Sequence, residues 1–354
     1  MEKAMADAEA KVPDYRLLLS CPSGLSPSQV SVDFSERFDR IPHPDISLDN
    51  SISEIWDGRV QQNASLYNGT KFRYAGHIMH GGGGSDEKSH VCLHLGLTDY
   101  RTFVGTNLNP LWEKFLVPSE DDSVRCQHTS SPLGNGAIIE TSDKRIVVLR
   151  RSNNVGEFPG HFVFPGGHPE PQEIGIVSHQ FDKDMDPDFI NRKVSQEMFD
   201  SIVREVVEEI GVPEASLCNP VLIGVSCRVL NVRPAAFFFI KCNLHSKEIQ
   251  QLYSTAQDGY ESTHLYTVSR NDLKDMTSKM PGCHQGGFAL YMLMSLDLNF
   301  VGWSGMERSM WGFCSFTPRI CYNQAWGMGV KTPGKEKFCR HPLPLDIAEE
   351  GTFW

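Results

Sequence analysis

Alternating and continuous apolar runs along the chain predict a series of strands with helices between them. The predicted strands are 17–20, 71–80, 89–97, 135–141, 145–151, 221–230, 234–244 and 262–270. The predicted helices are 53–65, a helix that ends at Gly211, 246–257 and 286–296. The turn TSDK favours a hairpin between 135–141 and 145–151. Strands that alternate with helices in this way indicate a mixed α/β or α+β domain.

The segment FDSIVREVVEEIG, residues 199–211, has the clearest helical pattern in the chain. At about 100° per residue the apolar side chains share one face, and Glu205, Glu208 and Glu209 share the opposite face. Gly211 supplies a left-handed stop, and Pro213 prevents the helix from continuing.

Three neighbouring carboxylates on one helical turn have two interpretations. Each like-charge pair costs roughly 0.2–0.5 kcal/mol, so a solvated acidic face is common and inexpensive. A divalent cation reverses the argument, because Mg²⁺ usually binds one or two carboxylates together with substrate phosphates and water. The helix alone does not decide between these interpretations.

A glycine corner precedes this helix in the sequence. The stretch FPGGHPEPQE, 164–173, ends an apolar strand with Gly166 and Gly167, which let the backbone approach a phosphate or a metal closely. Glu173 follows Gly167 after five residues. A second glycine run, GGGGSDEK at 81–88, lacks the Lys-Ser/Thr ending of a P-loop and no helix follows it, so we interpret it as a hairpin loop.

Composition narrows the class of protein. The formal net charge of −11 argues against general nucleic-acid binding, which needs a basic surface. The ten cysteines include no C-x-x-C pair, so a zinc cluster is not predicted. The first residues lack the apolar region of a secretory signal, and the most apolar run, AAFFFI at 235–240, is too short to span a bilayer. We expect a cytoplasmic protein without nucleic-acid or membrane partners, and the sequence does not indicate its oligomeric state.

The glycine corner and the acidic helix together resemble the Nudix box. The matching residues are Gly167, Glu173, Arg204, Glu205, Val206, Glu208, Glu209, Gly211 and Val212. The family has seven residues between the matching glutamate and the arginine, whereas 174–203 is thirty residues here, an insertion of 23. This insertion leaves open where Glu173 lies relative to the helix. Its DKDMDPD stretch, 182–188, is interpreted as a solvated loop, because it lacks the glycine and the distal glutamate of an EF-hand.

A split box introduced by PGGHPEPQ resembles the UDP-sugar pyrophosphatase branch of the family. LGLTDYRTFVGTN, VLRRS and ESTHLY agree with this branch, and the similarity runs from about residue 17 to about residue 300. The resemblance implies a Nudix fold, a mixed β-sheet between α-helices, at 126–300. It also implies an N-terminal β-rich region at 17–125 that helps to hold the nucleotide. We expect residues 1–16 to be disordered and 301–354 to form an irregular tail.

The resemblance implies roles for individual residues. Glu205 and Glu209 match metal ligands, Glu208 is a candidate third ligand, and Arg204 matches the residue that orients them. Substrate-binding positions are matched by Tyr67, Tyr100, Arg151, Gly156, Val163, His168 and Glu170, and a late carboxylate by Glu261. Each residue also has an ordinary structural role as its alternative. The tyrosines are then half-buried strand aromatics and Arg151 a surface arginine at a strand end. His168 and Glu170 are then part of a polar turn, and Glu261 belongs to a connector between a helix and a strand.

The implied reaction is Mg²⁺-dependent hydrolysis of a UDP-hexose to UMP and hexose 1-phosphate, with Mn²⁺ as an alternative cation. Glu205 or Glu261 is expected to act as the base. Two alternatives stay open. One is a Nudix hydrolase for ADP-ribose, a dinucleotide, coenzyme A or a capped RNA end, and the other is a Nudix-like scaffold that binds nucleotide without cleaving it. The split-box interpretation requires 164–173 to fold over the acidic side of 199–211.

Overall fold

The structure is a computed structural model that describes residues 13–81, 89–153, 157–180, 186–254 and 262–300. Several predictions fall outside these residues: the start of the chain to residue 12, most of the GGGGSDEK loop, most of DKDMDPD, Gly156, Glu261 and the tail 301–354. Within the described ranges, no helix combines the length and the apolar character that crossing a membrane requires.

The described residues form ten strands and seven α-helices. The strands are β1 (Tyr15–Leu25), β2 (Val30–Phe34), β3 (Thr70–His80), β4 (His90–Asp99), β5 (Gly134–Glu140), β6 (Ile146–Arg151), β7 (Phe162–Val163), β8 (Val221–Arg228), β9 (Pro234–Lys241) and β10 (Ser262–Val268). The helices are α1 (Ile46–Gln62), α2 (Tyr100–Gly105), α3 (Asp122–Arg125), α4 (Pro187–Ile210), α5 (Ser246–Tyr253), α6 (Arg270–Met276) and α7 (Gly282–Phe300).

A seven-stranded mixed sheet forms the centre of the molecule. Its order is β1-β8-β9-β5-β6-β10, with β7 paired to β6. β5 and β9 run parallel, and the other neighbours in this sheet are antiparallel. Side chains on a strand point alternately to its two faces, which assigns the six apolar residues 235–240 of β9 to two cores.

The two faces of β9 are covered by different helices. Phe238 belongs to the core that α4 closes, and its ring lies 5.2 Å from that of Phe199 at 73°. Phe239 belongs to the opposite core, where its ring stacks on that of Tyr291 of α7 at 6.0 Å. The predicted mixed sheet between helices is therefore confirmed.

A second sheet of three strands, in the order β2-β4-β3, packs beside α4. β2 runs parallel to β4, and its buried alternate residues Val30, Val32 and Phe34 join the same apolar core as α4. Two polar contacts fix this packing: Asn191 Oδ1 accepts from the backbone N–H of Phe34 at 2.9 Å, and the Ser195 hydroxyl donates to the Val30 carbonyl at 2.9 Å.

The N-terminal boundary of the prediction needs correction. Tyr15 and Arg16 are not part of a disordered segment, because they pair with Arg228 and Cys227 of β8. The region 17–125 thus contributes β1 to the large sheet as well as β2–β4 to the small one. The division of the remaining chain at residue 125 stays a prediction.

The helix that ends at Gly211 begins inside the insertion, well before the segment 199–211 that has the clearest helical pattern. α4 begins at Pro187, and the Asp186 carboxylate caps it by accepting from the N–H of Asp188 at 3.0 Å. Ile190, Val194 and Met198 recur at four-residue spacing and are all buried. An apolar stripe of this kind favours a helix that packs on a core.

Candidate functional site

The glycine corner leaves β7 and returns along β5. The backbone N–H of Ala137 donates to the Pro165 carbonyl at 2.7 Å, and that of Asn135 donates to the Gly167 carbonyl at 2.9 Å. The Asn135 side chain accepts from the N–H of Gly167 at 2.7 Å. Asn135 also donates through Nδ2 to Ser201 of α4 at 3.0 Å, so one buried amide fixes both the corner and the helix.

Both glycines are required by geometry. Gly166 has a φ of 154°, and a Cβ there would lie 2.7 Å from Gly136 Cα, against backbone that cannot yield. A Cβ on Gly167 would lie within 3.0 Å of the Glu205 carboxylate, a distance that real Cβ atoms essentially never show. The Glu205 carboxylate therefore occupies space that only a glycine leaves open.

Two helix carboxylates bind successive parts of this corner. Glu209 Oε2 accepts from the N–H of Gly166 at 2.8 Å, and Glu205 Oε1 accepts from the N–H of His168 at 3.3 Å. The structure thus brings 164–168 onto the acidic side of α4, as the split-box interpretation requires. Glu208 lies on the same turn of α4 and is half-buried.

The side chains alone do not form a ready-made metal cage. Among the described residues, no group of three His, Cys, Asp or Glu side chains is arranged to hold an ion. Two adjacent hard-oxygen donors beside an open glycine backbone nevertheless fit a cation such as Mg²⁺, which binds through one or two carboxylates and takes its remaining ligands from phosphates and water. The donor set is thus compatible with a metal that the substrate helps to bind.

Arg204 does not pair with Glu173. Its Nη2 donates to Oε1 of Glu197 at 2.7 Å, and the same oxygen accepts from the N–H of Glu170 at 3.0 Å. Burial raises the pKa of Glu197, and the bonds from Arg204 and Glu170 only partly oppose that effect. Glu173 lies exposed on the short 3-10 turn Pro171–Ile174. Glu197 sits inside the insertion and carries no motif, so sequence comparison with the box does not find it.

A cluster of arginines lies on the other side of the corner. The Glu157 carboxylate forms ion pairs with Arg228, at 2.8 Å, and with Arg233. Arg151 Nε donates to the Glu157 carbonyl at 2.9 Å. Burial alone would raise the pKa of Glu157, but Arg233 and Arg228 outweigh it and hold the pKa below its usual range. The charges of Arg228, Arg233 and Arg151 all act on this one carboxylate.

His168 connects this arginine cluster to the acidic helix. Arg233 Nη2 donates to His168 Nε2 at 2.6 Å, while the His168 backbone N–H binds Glu205. The turn that presents Arg233 is strained, because Asn231 and Val232 have positive φ values of 56° and 45°. Non-glycine residues in this conformation cost about 1–3 kcal/mol each and concentrate at functional sites. Arg233, Arg228 and Glu157 were not predicted, because the sequence carries no recognisable motif at these positions.

The two predicted tyrosines lie on different parts of the N-terminal region. Tyr67 is 69% exposed and accepts through its hydroxyl from Gln172 Nε2 at 3.1 Å. Tyr100 is not a strand residue, since it begins α2, and its ring meets Trp56 edge-on at 6.0 Å. Burial raises the pKa of Tyr100, which also lies within the electrostatic influence of Arg233 and Glu157. Tyr100 is therefore close to the arginine cluster.

The remaining predicted residues flank the corner. Glu170 accepts from Lys71 Nζ of β3 at 2.8 Å, an ion pair between the small sheet and the glycine loop. Val163 is buried in β7 opposite Leu149, so its side chain belongs to the core and its backbone to the sheet edge. Arg151 ends β6 opposite Ser262, the first residue of β10.

His284 of α7 holds the start of the glycine corner through a hydrogen bond. Its Nδ1 accepts from the N–H of Phe164 at 3.1 Å, which requires a neutral ring with that nitrogen unprotonated. Burial, assisted by Arg151, Arg233 and Arg228, lowers the pKa of His284 to about 3. The ring is thus a fixed hydrogen-bond acceptor near neutral pH.

The sequence is similar to curated proteins over most of its length. The chain matches no family model. It is 68% identical over 282 residues to "Nudix hydrolase 9" of Arabidopsis thaliana, an alignment that covers 79% of this chain and 91% of the relative. It is 34% identical over 292 residues to "Uridine diphosphate glucose pyrophosphatase NUDT22" of Mus musculus, covering 79% of this chain and 91% of the relative.

The human protein of the same name is 31% identical over 292 residues, covering 79% of this chain and 92% of the relative. A solved MutT protein from Methanosarcina mazei Go1 overlaps 44% of this chain and 89% of its own with a TM-score of 0.29, too low to bear on the fold. The Arabidopsis relative is similar over most of both chains, and the resemblance to the Nudix box is confirmed. This chain belongs to the Nudix hydrolase family.

Proposed function

We propose that the protein hydrolyses the pyrophosphate bond of UDP-sugars such as UDP-glucose and UDP-galactose, with Mg²⁺, to UMP and a hexose 1-phosphate. One observation carries this proposal: the glycine corner is bound on one side by Glu205 and Glu209 and on the other by Arg233, through His168. Acidic and basic groups thus face one short loop. We also propose the cytoplasm as the compartment in which it acts.

The arrangement of charge suits a diphosphate ester. Nudix hydrolases generally use divalent metal ions. Glu205 and Glu209 would hold Mg²⁺, with Glu208 as a third candidate, and a bound Mg²⁺ withdraws charge from the phosphates and lowers the pKa of water. The arginine cluster around Glu157 lies across the corner, where arginine forks suit phosphate oxygens. A substrate that bridges both sides would have its diphosphate between them.

The substrate-binding roles follow from position. Arg151 and Arg233 would bind phosphate oxygens, and His168 would orient the ester, since its ring and its backbone bind opposite sides of the corner. Glu170 would contact the sugar or the ribose near Lys71. Tyr67 and Tyr100 would hold the uracil, because an aromatic ring offers a flat face and a polar group. Val163 and Gly156 are proposed to offer backbone contacts.

The proton from the attacking water requires a base. Glu205 is proposed for this role because its carboxylate lies at the corner, where it accepts from the backbone N–H of His168. Glu261 is the second proposed base, from the family resemblance alone. A base of this kind contributes typically about 10²–10⁴-fold to a rate.

The choice of a UDP-sugar over other nucleoside diphosphate derivatives is supported by the two curated relatives named as uridine diphosphate glucose pyrophosphatases. Both similarities extend over 79% of this chain, which includes more than the acidic helix and the glycine corner. The N-terminal sheet beside the corner, with Lys71 bound to Glu170, offers a surface for the base and sugar.

The test compares turnover of UDP-glucose, UDP-galactose and ADP-ribose by the full chain with Mg²⁺, with Mn²⁺ or with chelator. We expect UMP and hexose 1-phosphate from the UDP-sugars only when a divalent metal is present. Glu205→Gln should lower kcat/KM by at least about 100-fold, because outer-shell groups alone are worth about 10–100-fold. Asp200→Asn, an exposed charge change on the same helix, is the matched control. Preferred cleavage of ADP-ribose, or metal-independent turnover, would refute the proposal.

A further inference from the structure

The second half of the insertion places one carboxylate in an unusual environment. Glu197 is 2% exposed, and among the residues that the structure describes it is the only Asp or Glu in the buried class. Burying an ionised carboxylate is costly unless it is paired and hydrogen-bonded. The contacts that compensate this cost therefore indicate what Glu197 does.

Those contacts join two segments of the site through a single oxygen. Glu197 Oε1 accepts from Arg204 Nη2 at 2.7 Å and from the backbone N–H of Glu170 at 3.0 Å. Glu197 and Arg204 are seven residues apart on α4, which places both on one face of the helix, two turns apart. Arg204 precedes Glu205, and Glu170 follows the loop residue His168 that binds Glu205. Glu197 thus links the chain segments on both sides of that carboxylate.

Glu173, the glutamate that matches the Nudix box ahead of the insertion, does not make this contact. It is exposed on the 3-10 turn, where it acts on Arg204 only as a nearby charge. The buried ion pair of Arg204 is with Glu197, whose side chain is 3% exposed.

We propose that Glu197, which the insertion supplies, is the positioning residue of the metal site. It fixes Arg204 and the loop N–H of Glu170, and through them it holds the Glu205 carboxylate and the glycine corner in register. Glu173 does not have this role. The inference rests on the proposed function in one respect, since it assumes that Glu205 and Glu209 bind a divalent cation.

The test measures Mn²⁺ binding without substrate, by electron paramagnetic resonance of free Mn²⁺, and then kcat and KM for UDP-glucose. Glu197→Gln keeps the size and an oxygen acceptor but removes the charge that Arg204 needs. We expect the Kd for Mn²⁺ to rise about 10–100-fold, the range for groups that orient metal ligands. We expect kcat to fall with a smaller change in KM, because the substrate contacts remain. Glu173→Gln, the matched control, should change each quantity less than about twofold, as exposed charges contribute little.

Arg204→Gln removes the other member of the same ion pair, whose side chain is half-exposed. This variant replaces Glu197→Gln in the test if Glu197→Gln does not fold. It should raise the Mn²⁺ Kd by a similar factor, and the double variant should lose little more than either single variant, because coupled residues are not additive.

Three results would overturn the inference. The first is an unchanged Mn²⁺ Kd in a folded Glu197→Gln protein, even where its melting temperature is lowered. The second is an effect of Glu173→Gln on the Mn²⁺ Kd as large as that of Glu197→Gln, and the third is a double variant whose effect is the sum of the effects of the two single variants. If the wild-type chain binds Mn²⁺ and Glu197→Gln weakens that binding while UDP-glucose stays intact, the positioning role stands and the proposed substrate fails.

Discussion

Gly167 offers a direct way to displace Glu205 without touching an ionisable group. A Cβ at residue 167 would lie 2.7 Å from Glu205 Oε2 and closer still to the other two carboxylate atoms. Those atoms are the end of a flexible side chain, so the carboxylate moves and the backbone stays. The displacement needed to restore a normal contact is about 1 Å, and a misplacement of that size can cost about 10²-fold in rate.

The expected result for Gly167→Ala is a folded protein with kcat/KM for UDP-glucose lowered about 100-fold and with weakened Mn²⁺ binding. The free energy of unfolding should change by less than about 1 kcal/mol, because alanine also restricts the unfolded chain.

Two nearby glycines make the controls. Gly134 also borders the corner, but the nearest atom to its added Cβ is the Gly167 carbonyl oxygen at 3.5 Å, an ordinary contact, so Gly134→Ala should keep both activity and stability. Gly166→Ala should instead unfold or strongly destabilise the protein. Its φ of 154° is one that a residue with a side chain rarely adopts. An added Cβ would also meet the backbone of Asn135 and Gly136, which cannot move aside.

Urea unfolding, Mn²⁺ titration and UDP-glucose kinetics on the three alanine variants would separate these effects. A Gly167→Ala protein with wild-type Mn²⁺ affinity and full activity would show that the Glu205 carboxylate does not need its place against the corner. Equal losses in Gly134→Ala would show that crowding of the loop, and not the displaced carboxylate, explains the effect.

Three further outcomes are expected. The unfolding free energy should decrease as pH falls from about 6.5 towards 3, by up to about 1.4 kcal/mol per pH unit. The reason is that His284 binds a proton in the unfolded chain, whereas the folded ring, with its pKa lowered to about 3, does not. Urea unfolding at pH 7 and at pH 5 should show this slope, and His284→Gln should flatten it. Glu157→Gln leaves Arg228, 2% exposed, without its carboxylate and should cost about 3 kcal/mol in chemical unfolding, so an unchanged midpoint would contradict the pairing. Lys71→Ala removes the ion pair to Glu170 and should raise KM for UDP-glucose a few-fold, with kcat and stability nearly unchanged. A large loss of kcat would contradict this and would indicate that Lys71 takes part in the chemical step.

Local patterns predicted most of the elements that position the site. The run AAFFFI, 235–240, is apolar throughout because β9 is buried on both faces, and period-2 alternation then divides Phe237 and Phe238 between two cores. Gly211 ends α4 with a φ of 76°, the left-handed stop predicted from the sequence. These features depend on residues within one turn or one strand, so the sequence alone determines them.

The arginine cluster depends on contacts between distant parts of the chain. Arg228 and Glu157 are 71 residues apart, and Arg233 and His168 are 65 residues apart. No local pattern records which loops the sheet order brings together, and β8, β9 and β5 become neighbours only through the fold. The early part of α4 is different, because the stripe of Ile190, Val194 and Met198 is a local pattern that the sequence itself contains.

The insertion and the N-terminal region are in contact, because α4 packs on β2. Lengthening a loop adds little closure entropy, so the extra residues are tolerated, and those that extend α4 backwards form an additional packing surface. That surface binds β2 through Asn191 and Ser195, and thereby ties the small sheet to the helix that bears Glu205. The small sheet in turn holds the glycine loop through Lys71. The proposed hydrolysis of a nucleoside diphosphate sugar would need these two surfaces at a fixed separation, and a helix that continues from one to the other would provide it.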